Sequence, residues 1–108
     1  MLEISTYKVA QIILMAREME RAEGELRSFI GTLTTEERYH LVALMWVGRG
    51  SFHASEWDEA VETAEVEATT PTADYLLGSP HLSDHLENGL DALGIDPSDD
   101  EDDLIRGG

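Results

Sequence analysis

The sequence contains no cysteine, and this absence excludes several kinds of site. A disulfide framework, a thiolate zinc centre and a cysteine nucleophile all require a thiol. Basic residues are also scarce, with 7 Lys and Arg against 23 Asp and Glu and a formal net charge of -16. Because nucleic-acid phosphates and anionic lipid headgroups repel such a chain, we expect no direct nucleic-acid binding and no membrane-surface binding.

Long apolar runs are missing as well. The longest apolar-rich stretch, Leu41 to Val47, has seven residues, whereas about 20 are needed to cross a bilayer. The first residues lack the basic segment and the small-residue cleavage site of a secretory signal. Together with the lack of cysteine, these features predict a cytoplasmic protein.

The acidic residues are unevenly distributed along the chain. Residues 95–108 contain six Asp and Glu and one Arg, a composition that predicts a disordered acidic tail. The chain as a whole is 42% hydrophobic, which is compatible with a globular domain, and 108 residues fit one domain. We therefore predict a helical domain over residues 1–94, followed by a tail over residues 95–108.

Hydrophobic periodicity predicts two helices at the start of the chain. Apolar residues recur at three- and four-residue spacing in a first helix that begins at Ser5 or Thr6 and continues to about Ala22. Gly24 is expected to interrupt this pattern. A short second helix then carries a second apolar stripe and ends around Gly31 to Thr34.

The third helix is predicted to be the centre of the domain. Thr34 and Glu37 have the spacing of a capping box, which marks a helix start. The following run, Leu41 to Val47, is apolar on nearly every side, as expected for a helix that other elements surround. Although a buried strand would also explain an apolar run, the cap favours a helix. Residues 48–50, Gly-Arg-Gly, are predicted to end it.

Three further elements are predicted in the second half of the chain. Ser55 is expected to cap a fourth helix that continues to about Ala68, and Thr72 is expected to cap a short helical turn. Ser79 then provides the N-cap of a last helix that ends at Gly94. The predicted fold is thus all-α, a compact bundle of five or six short helices around the central apolar helix.

Four residues in or near predicted turns form a candidate binding surface. They are Arg49, Phe52, Asp74 and Tyr75, and turn residues of this kind often mediate recognition. Given the acidity of the chain, the leading hypothesis is a non-enzymatic interaction module. Its partner would be a protein with a basic or amphipathic surface. A homodimer through the leucine and alanine stripes is a further option.

A metal site is the main alternative. His81 and His85 lie four residues apart on the predicted last helix, a spacing that lets two imidazoles bind one metal ion, with Asp84 or Asp74 as a further ligand. The pattern lacks the glutamate that follows the first histidine in zinc proteases. The hypothesis is therefore a metal-binding protein or metalloenzyme, and apart from this site we predict no catalytic residue and no cofactor.

The remaining histidines and both tryptophans are predicted to have structural roles. His40 and His53 bracket the central helix and are expected to be hydrogen-bonded, and an acidic neighbour would raise the pKa of either imidazole. Trp46 and Trp57 are expected to anchor the core, because each can bury about 150–250 Å².

The outer face of the predicted fourth helix suggests another function. Asp58, Glu62 and Glu65 share this face, since they are spaced by three and four residues. Carboxylates arranged in this way could imitate the phosphates of a nucleic acid and occupy a DNA-binding partner. Nucleic-acid mimicry is accordingly a second alternative.

Three segments carry a family resemblance. Residues 41–50, the Glu56-Trp57 pair with Ala60, and residues 72–80, with the run Thr-Ala-Asp-Tyr-Leu-Leu-Gly, resemble a small bacterial domain family of unknown function. The family is found mostly in proteobacteria, and the resemblance covers about residues 2–94. It implies a stand-alone cytoplasmic bacterial protein, and it implies no activity, cofactor or catalytic residue.

Overall fold

The computed structural model describes residues 2–68 and 70–96, and all regular structure in these residues is helical. The elements in chain order are α1 (Thr6–Arg17), α2 (Met19–Gly31), α3 (Thr35–Arg49), a 3₁₀ turn (Ala54–Glu56), α4 (Trp57–Val66), α5 (Thr72–Leu77) and α6 (Leu82–Ala92). The predicted all-α bundle of short helices is confirmed. The tail predicted over residues 95–108 lies outside the described residues from position 97 onward.

The central position of α3 is confirmed by its burial. Every residue from His40 to Val47 is buried, and α3 packs against α6 and α4 and, less extensively, against α5. Helices α1 and α2 pack on each other, with α1 also on α6 and α2 also on α5. A helix that is surrounded in this way needs apolar side chains on nearly every face, as Leu41 to Val47 provide.

The start of α3 is fixed by the predicted capping box and by an ion pair to α1. The Thr34 hydroxyl accepts from the Glu37 amide at 3.1 Å, while the Glu37 carboxylate accepts from the Thr34 amide at 2.9 Å. The other Glu37 oxygen accepts from Lys8 Nζ at 2.8 Å. This Lys8 hydrogen bond is the main cause of the lowered pKa of the Glu37 carboxyl group.

The predicted boundary between the first two helices is wrong. The chain breaks at Glu18 rather than at Gly24, which lies inside α2 on its exposed side. At Glu18 the backbone leaves the helical conformation (φ -106°, ψ 36°), which changes the direction of the chain between α1 and α2. Leu26 and Ile30 of α2 are buried in the core. Their burial outweighs the helix cost of one glycine, about 1 kcal/mol.

Gly48 was expected to help end α3, but it lies within the helix, and the structure gives it another role. Gly50 ends the helix instead, with a left-handed φ of 91°. A Cβ on Gly48 would overlap the His85 carbonyl oxygen of α6, and one on Gly89 would overlap the Leu44 carbonyl oxygen of α3. The two glycines therefore allow the backbones of α3 and α6 to touch.

The boundaries of the fourth helix also differ from the prediction. The expected N-cap, Ser55, lies inside the 3₁₀ turn that His53 caps, and Glu56 occupies the N-cap position of α4. The His53 ring nitrogen Nδ1 accepts from the Ser55 amide at 3.2 Å, and Glu56 accepts from the His53 amide at 2.8 Å. Helix α4 ends at Val66, two residues before the expected end at Ala68.

The caps of the last two helices were assigned wrongly. Pro71, not Thr72, occupies the N-cap of α5. For α6 the N-cap is His81, which has a left-handed φ of 58°, rather than Ser79. The Ser79 hydroxyl donates to the Tyr75 carbonyl at 3.1 Å, so it is already engaged at the end of α5. The turn between the two helices is consequently longer than the Ser-Pro motif suggested.

The packed structure continues just past the predicted domain boundary at Gly94. Gly94 has a φ of 73° and follows the last turn of α6, as predicted. The next amide, that of Ile95, donates to the Leu90 carbonyl at 2.9 Å, and the Ile95 side chain packs against the core. No helix within the described residues combines the length and the hydropathy that a membrane-spanning segment requires.

Candidate functional site

Two of the four residues predicted to form a binding surface meet around Trp46. The Trp46 indole N–H donates to the Tyr75 hydroxyl at 2.8 Å, and the two rings stand almost at right angles, 80°, with centroids 6.5 Å apart. Phe52 packs against Trp46 with a centroid distance of 5.7 Å and an interplanar angle of 30°. Helix α3 thus positions Trp46 between the turn that follows α3 and the short helix α5.

A small pocket opens beside this aromatic group, between α3, the end of α4 and the start of α5. Its volume is about 180 Å³. We call it the aromatic pocket, and its lining residues are Tyr39, Val42, Trp46, Ala64, Glu67, Ala68, Thr70, Thr72 and Tyr75. Ligand sites combine apolar and aromatic walls with a few polar groups, and the aromatic pocket has this composition.

The charge around the aromatic pocket is negative. Of the nine described residues that line it, only Glu67 is charged. On α4, which leads to Glu67, the carboxylates of Asp58, Glu59, Glu62 and Glu65 are exposed. Within the described residues the ion pairs lie elsewhere, and they join Lys8 to Glu37, Arg17 to Glu87 and Arg27 to Asp74. The carboxylates on α4 are therefore available to an external cation.

Of the four predicted surface residues, Tyr75 lines the aromatic pocket, Phe52 contacts Trp46 without lining the pocket, and Asp74 and Arg49 have other partners. Asp74 is exposed on α5 and forms an ion pair with Arg27 of α2. Arg49 is exposed at the end of α3, where its Nε donates to the Ser51 hydroxyl at 3.0 Å. The structure therefore places Phe52 and Tyr75 together and gives Asp74 and Arg49 separate local partners.

The two histidines of the metal hypothesis lie close to each other on and just before α6. The His81 and His85 rings are 6.4 Å apart between centroids and meet edge to face at 82°. In residues 2–68 and 70–96, no group of three or more His, Asp or Glu side chains is arranged to hold a metal ion. The metal hypothesis therefore still depends on these two imidazoles.

His40 is buried and hydrogen-bonded, but the expected direction of its pKa shift is wrong. Its Nδ1 accepts from the Glu3 amide at 3.0 Å, and its ring meets that of Trp57 edge to face at 5.5 Å. Burial lowers the pKa of the His40 imidazole, outweighing the opposite effect of the Glu3 and Glu36 carboxylates. Desolvation of the charged form decides the sign.

A larger cleft lies between α1 and the end of α6, far from the predicted surface residues. Its volume is about 760 Å³, and its apolar lining includes Ile13, Leu14 and Leu90. Arg17 and Glu87, which also line it, form an ion pair with each other. Asp91 and Asp96 line it too, so the cleft is acidic overall. We take the smaller aromatic pocket as the candidate site because it contains Tyr75, one of the predicted surface residues, and the Trp46 ring that Tyr75 and Phe52 contact.

Sequence reasoning missed Tyr39 and Glu67 as members of the site. Tyr39 and Trp46 are seven residues apart, so they lie on one face of a helix, and this spacing could have identified the pair. No comparable sequence pattern identified Glu67 as a pocket residue. It follows the last residue of α4, and its place at the pocket depends on how the chain turns toward α5.

These features define a class of protein: a small all-α domain with an aromatic pocket between its central helix and an acid-rich half. The chain belongs to the family described as a protein of unknown function, DUF3775, whose model matches residues 23–95. The expected domain family of unknown function is confirmed, with α1 outside the match and every pocket residue within it. No curated protein and no solved structure is significantly similar to the chain.

Proposed function

We propose that this protein is an interaction module that binds a basic segment of another protein. The segment would lie along the exposed carboxylates of α4 and reach the aromatic pocket at its end. One observation carries the proposal: the acidic surface of α4 leads directly into the aromatic pocket, because Glu67 and Ala68, which follow α4, line the pocket. Acidic and aromatic surface together match a basic partner.

The distribution of charge supports a partner at this side of the molecule. Residues 50–96 contain eleven Asp and Glu and no Lys or Arg, whereas residues 2–49 contain seven acidic and six basic residues. Six of these eleven acidic residues lie between Glu56 and Glu67, on or directly beside α4, so negative charge is dense along this helix. Such a surface attracts a basic partner and orients it during the encounter.

A charge-matched pair of variants tests the proposal. The first variant, Asp58→Asn with Glu62→Gln and Glu65→Gln, removes three exposed carboxylates from α4. The control, Glu20→Gln with Glu23→Gln and Glu25→Gln, removes three exposed carboxylates from α2. Both carry the same net charge, so any difference between them reports where the partner binds and not the overall acidity.

The probe is a ten-residue peptide in which lysine alternates with glycine, titrated at low and at moderate salt. We expect the α4 variant to bind it about tenfold more weakly than the control, with NMR shifts along α4 and around Trp46. Raising the salt should weaken the binding, since exposed charges are screened. Equal weakening by both variants would mean that the peptide senses only net charge, and would refute the proposal.

A nucleic-acid mimic would use the same carboxylates but would have no need of the aromatic pocket. Competition separates the two functions. A mimic should displace DNA from a basic DNA-binding protein, and the substitution Tyr39→Leu, in the aromatic pocket, should leave this displacement unchanged. If the module binds a basic segment as proposed, Tyr39→Leu should weaken binding of the lysine peptide.

A further inference from the structure

We propose that the aromatic pocket holds the ammonium group of a lysine side chain. The inference rests on the proposed function and deepens it, because it names the group of the basic partner that enters the pocket. Three features of the pocket support it: the arrangement of its rings, its single carboxylate and its size.

The rings form the kind of corner that suits a cation. Trp46 and Tyr75 line the pocket at 80° to each other, and Tyr39 contributes a third ring. An ammonium group is attracted to the electron-rich face of an aromatic ring when it lies within about 6 Å of the centroid, with tryptophan the strongest of the three aromatic residues. With the Trp46 and Tyr75 centroids 6.5 Å apart, one cation can be close to both.

The electrostatics of the pocket favour a cation over an anion. Glu67 is its only charged lining residue among those described, and neither lysine nor arginine lines it. Asp74 is adjacent in sequence to the pocket residue Tyr75, and it forms an ion pair with Arg27 of α2. The Arg27 guanidinium is therefore engaged by Asp74 and does not line the pocket. One carboxylate can accept from either an ammonium or a guanidinium, so the charge selects a cation and the small volume of about 180 Å³ favours the compact ammonium of lysine.

The size and the apolar lining suit a lysine stem. The pocket volume is about 180 Å³, and its most buried side chains are Ala64, Trp46 and Val42, which are 4%, 7% and 8% exposed. A lysine side chain lays its methylene groups along apolar surface and keeps its charged end near polar groups. The pocket thus offers apolar contact for the stem and aromatic rings with Glu67 for the ammonium.

Small model compounds test the inference without a partner protein. Nα-acetyl-lysine amide is titrated against the full chain, and the NMR resonance of the Trp46 indole N–H is followed, with the Trp57 indole as internal reference. Nα-acetyl-norleucine amide is the neutral control, because it keeps most of the stem and lacks the ammonium. We expect the lysine compound to shift the Trp46 resonance and to bind about tenfold more tightly than the norleucine compound.

Four results would overturn the assignment. Equal binding of the norleucine compound would make the pocket a simple apolar slot, and tighter binding of Nα-acetyl-arginine amide would assign it to arginine. Choline binding as tightly as the lysine compound would indicate a site for free quaternary ammonium compounds. A titration without any shift of the Trp46 resonance would also refute the inference.

A single substitution isolates the carboxylate. Glu67→Gln keeps the shape of the side chain and removes its charge, and Glu59→Gln, on the exposed surface of α4, is the matched control. We expect Glu67→Gln to weaken binding of the lysine compound at least threefold and to leave norleucine binding unchanged, while Glu59→Gln changes neither. Equal effects of the two substitutions on lysine binding would contradict a role for Glu67.

The two proposals can fail separately. If the lysine compound does not bind but the lysine–glycine peptide still depends on the α4 carboxylates, the pocket assignment is wrong and the interaction function stands. If the lysine compound binds at Trp46 but the peptide does not distinguish the α4 variant from its control, the pocket assignment stands and the extended docking surface is wrong.

Discussion

The two sides of α3 meet their neighbours in opposite ways. On one side, Leu44 and Gly48 face α6, and the backbones of the two helices come into contact. On the other side, Tyr39, Val42 and Trp46 face the end of α4 and the start of α5, and a pocket of about 180 Å³ remains. At about 100° of rotation per residue, the two sets of residues lie roughly half a turn apart around the helix.

This difference shows how side-chain size on one helix determines where the neighbouring helix packs in direct contact and where a pocket remains. Glycine at positions 48 and 89 removes the side chains that would hold α3 and α6 apart. On the other side, the rings of Tyr39 and Trp46 line the gap that remains between α3, α4 and α5. Protein interiors are otherwise filled to crystal-like density, so a residual pocket marks a place where packing has not closed.

The largest effect is expected where the backbones touch. Gly48→Ala would place a methyl group inside the space of the His85 carbonyl, so α6 must move away from α3. Overpacking of this kind costs typically 1–3 kcal/mol, and because a backbone atom is involved we expect a loss of about 3 kcal/mol or more. Urea unfolding followed by far-UV circular dichroism measures the change in unfolding free energy.

The matched control for this substitution is Gly24→Ala. Gly24 is also a glycine within a helix, but a Cβ there meets no atom within 4 Å. We expect this variant to gain about 0.5–1 kcal/mol, because alanine has the higher helix propensity. A stable Gly48→Ala protein would show that α6 can shift freely and that the close contact is not required.

On the pocket side the expected effects are smaller. Trp46→Phe keeps an aromatic ring but removes the indole N–H that donates to the Tyr75 hydroxyl, and it enlarges the pocket. We expect a loss of about 1–2 kcal/mol from the missing hydrogen bond and the lost packing. Tyr75→Phe removes only the acceptor hydroxyl and should cost less. Equal losses in chemical denaturation would assign the whole effect to the hydrogen bond.

The side of α3 that packs against α6 could be predicted only in part. Two features are local and were predicted correctly: the Thr34–Glu37 capping box, and the apolar run from Leu41 to Val47. The role of Gly48 was missed, because helix-ending glycines and helix-contact glycines look the same until the neighbouring helix is known. The break at Glu18 was missed for a related reason, since the packing of α2 on α1 fixes it and no turn residue marks it.

The side of α3 that lines the aromatic pocket was harder still to predict. Trp46 was correctly expected in the core. Phe52 and Tyr75, two of the predicted surface residues, both contact its ring, and the Tyr75 contact depends on the path of the chain from α4 to α5. The same path brings Glu67 to the pocket. Asp74 was grouped with Tyr75 because both were predicted to lie in or near a turn, yet on α5 it forms an ion pair with Arg27 instead.

His40 is one of the buried residues of α3, and its protonation should make the stability of the protein depend on pH. Burial lowers the pKa of its imidazole in the folded state, so the unfolded chain takes up a proton at higher pH than the folded chain. The free energy of unfolding should therefore fall as the pH drops below about 6.5, the ordinary histidine pKa. Protonation also removes the acceptor for the Glu3 amide.

Urea unfolding between about pH 7.5 and pH 5 measures this dependence, in wild type and in His40→Gln. The carboxyl group of Glu37 should not contribute to the change in stability over this pH range. Its pKa is lowered in the folded state, so the stability that it provides is lost only below about pH 4.5. We expect the fall in stability to be reduced in His40→Gln. An identical pH profile in the two proteins would show that His40 is not the group responsible.

The smallest effect is expected from filling the pocket. Ala68 is exposed and lines it, so Ala68→Leu adds three carbons into open space and should change the unfolding free energy by no more than about 0.5 kcal/mol. The same substitution at Ala60, which is fully buried on α4, should cost about 1–3 kcal/mol. If both variants lost equal stability in urea, the space beside Trp46 would be closed in solution, and the contrast between the two sides of α3 would disappear.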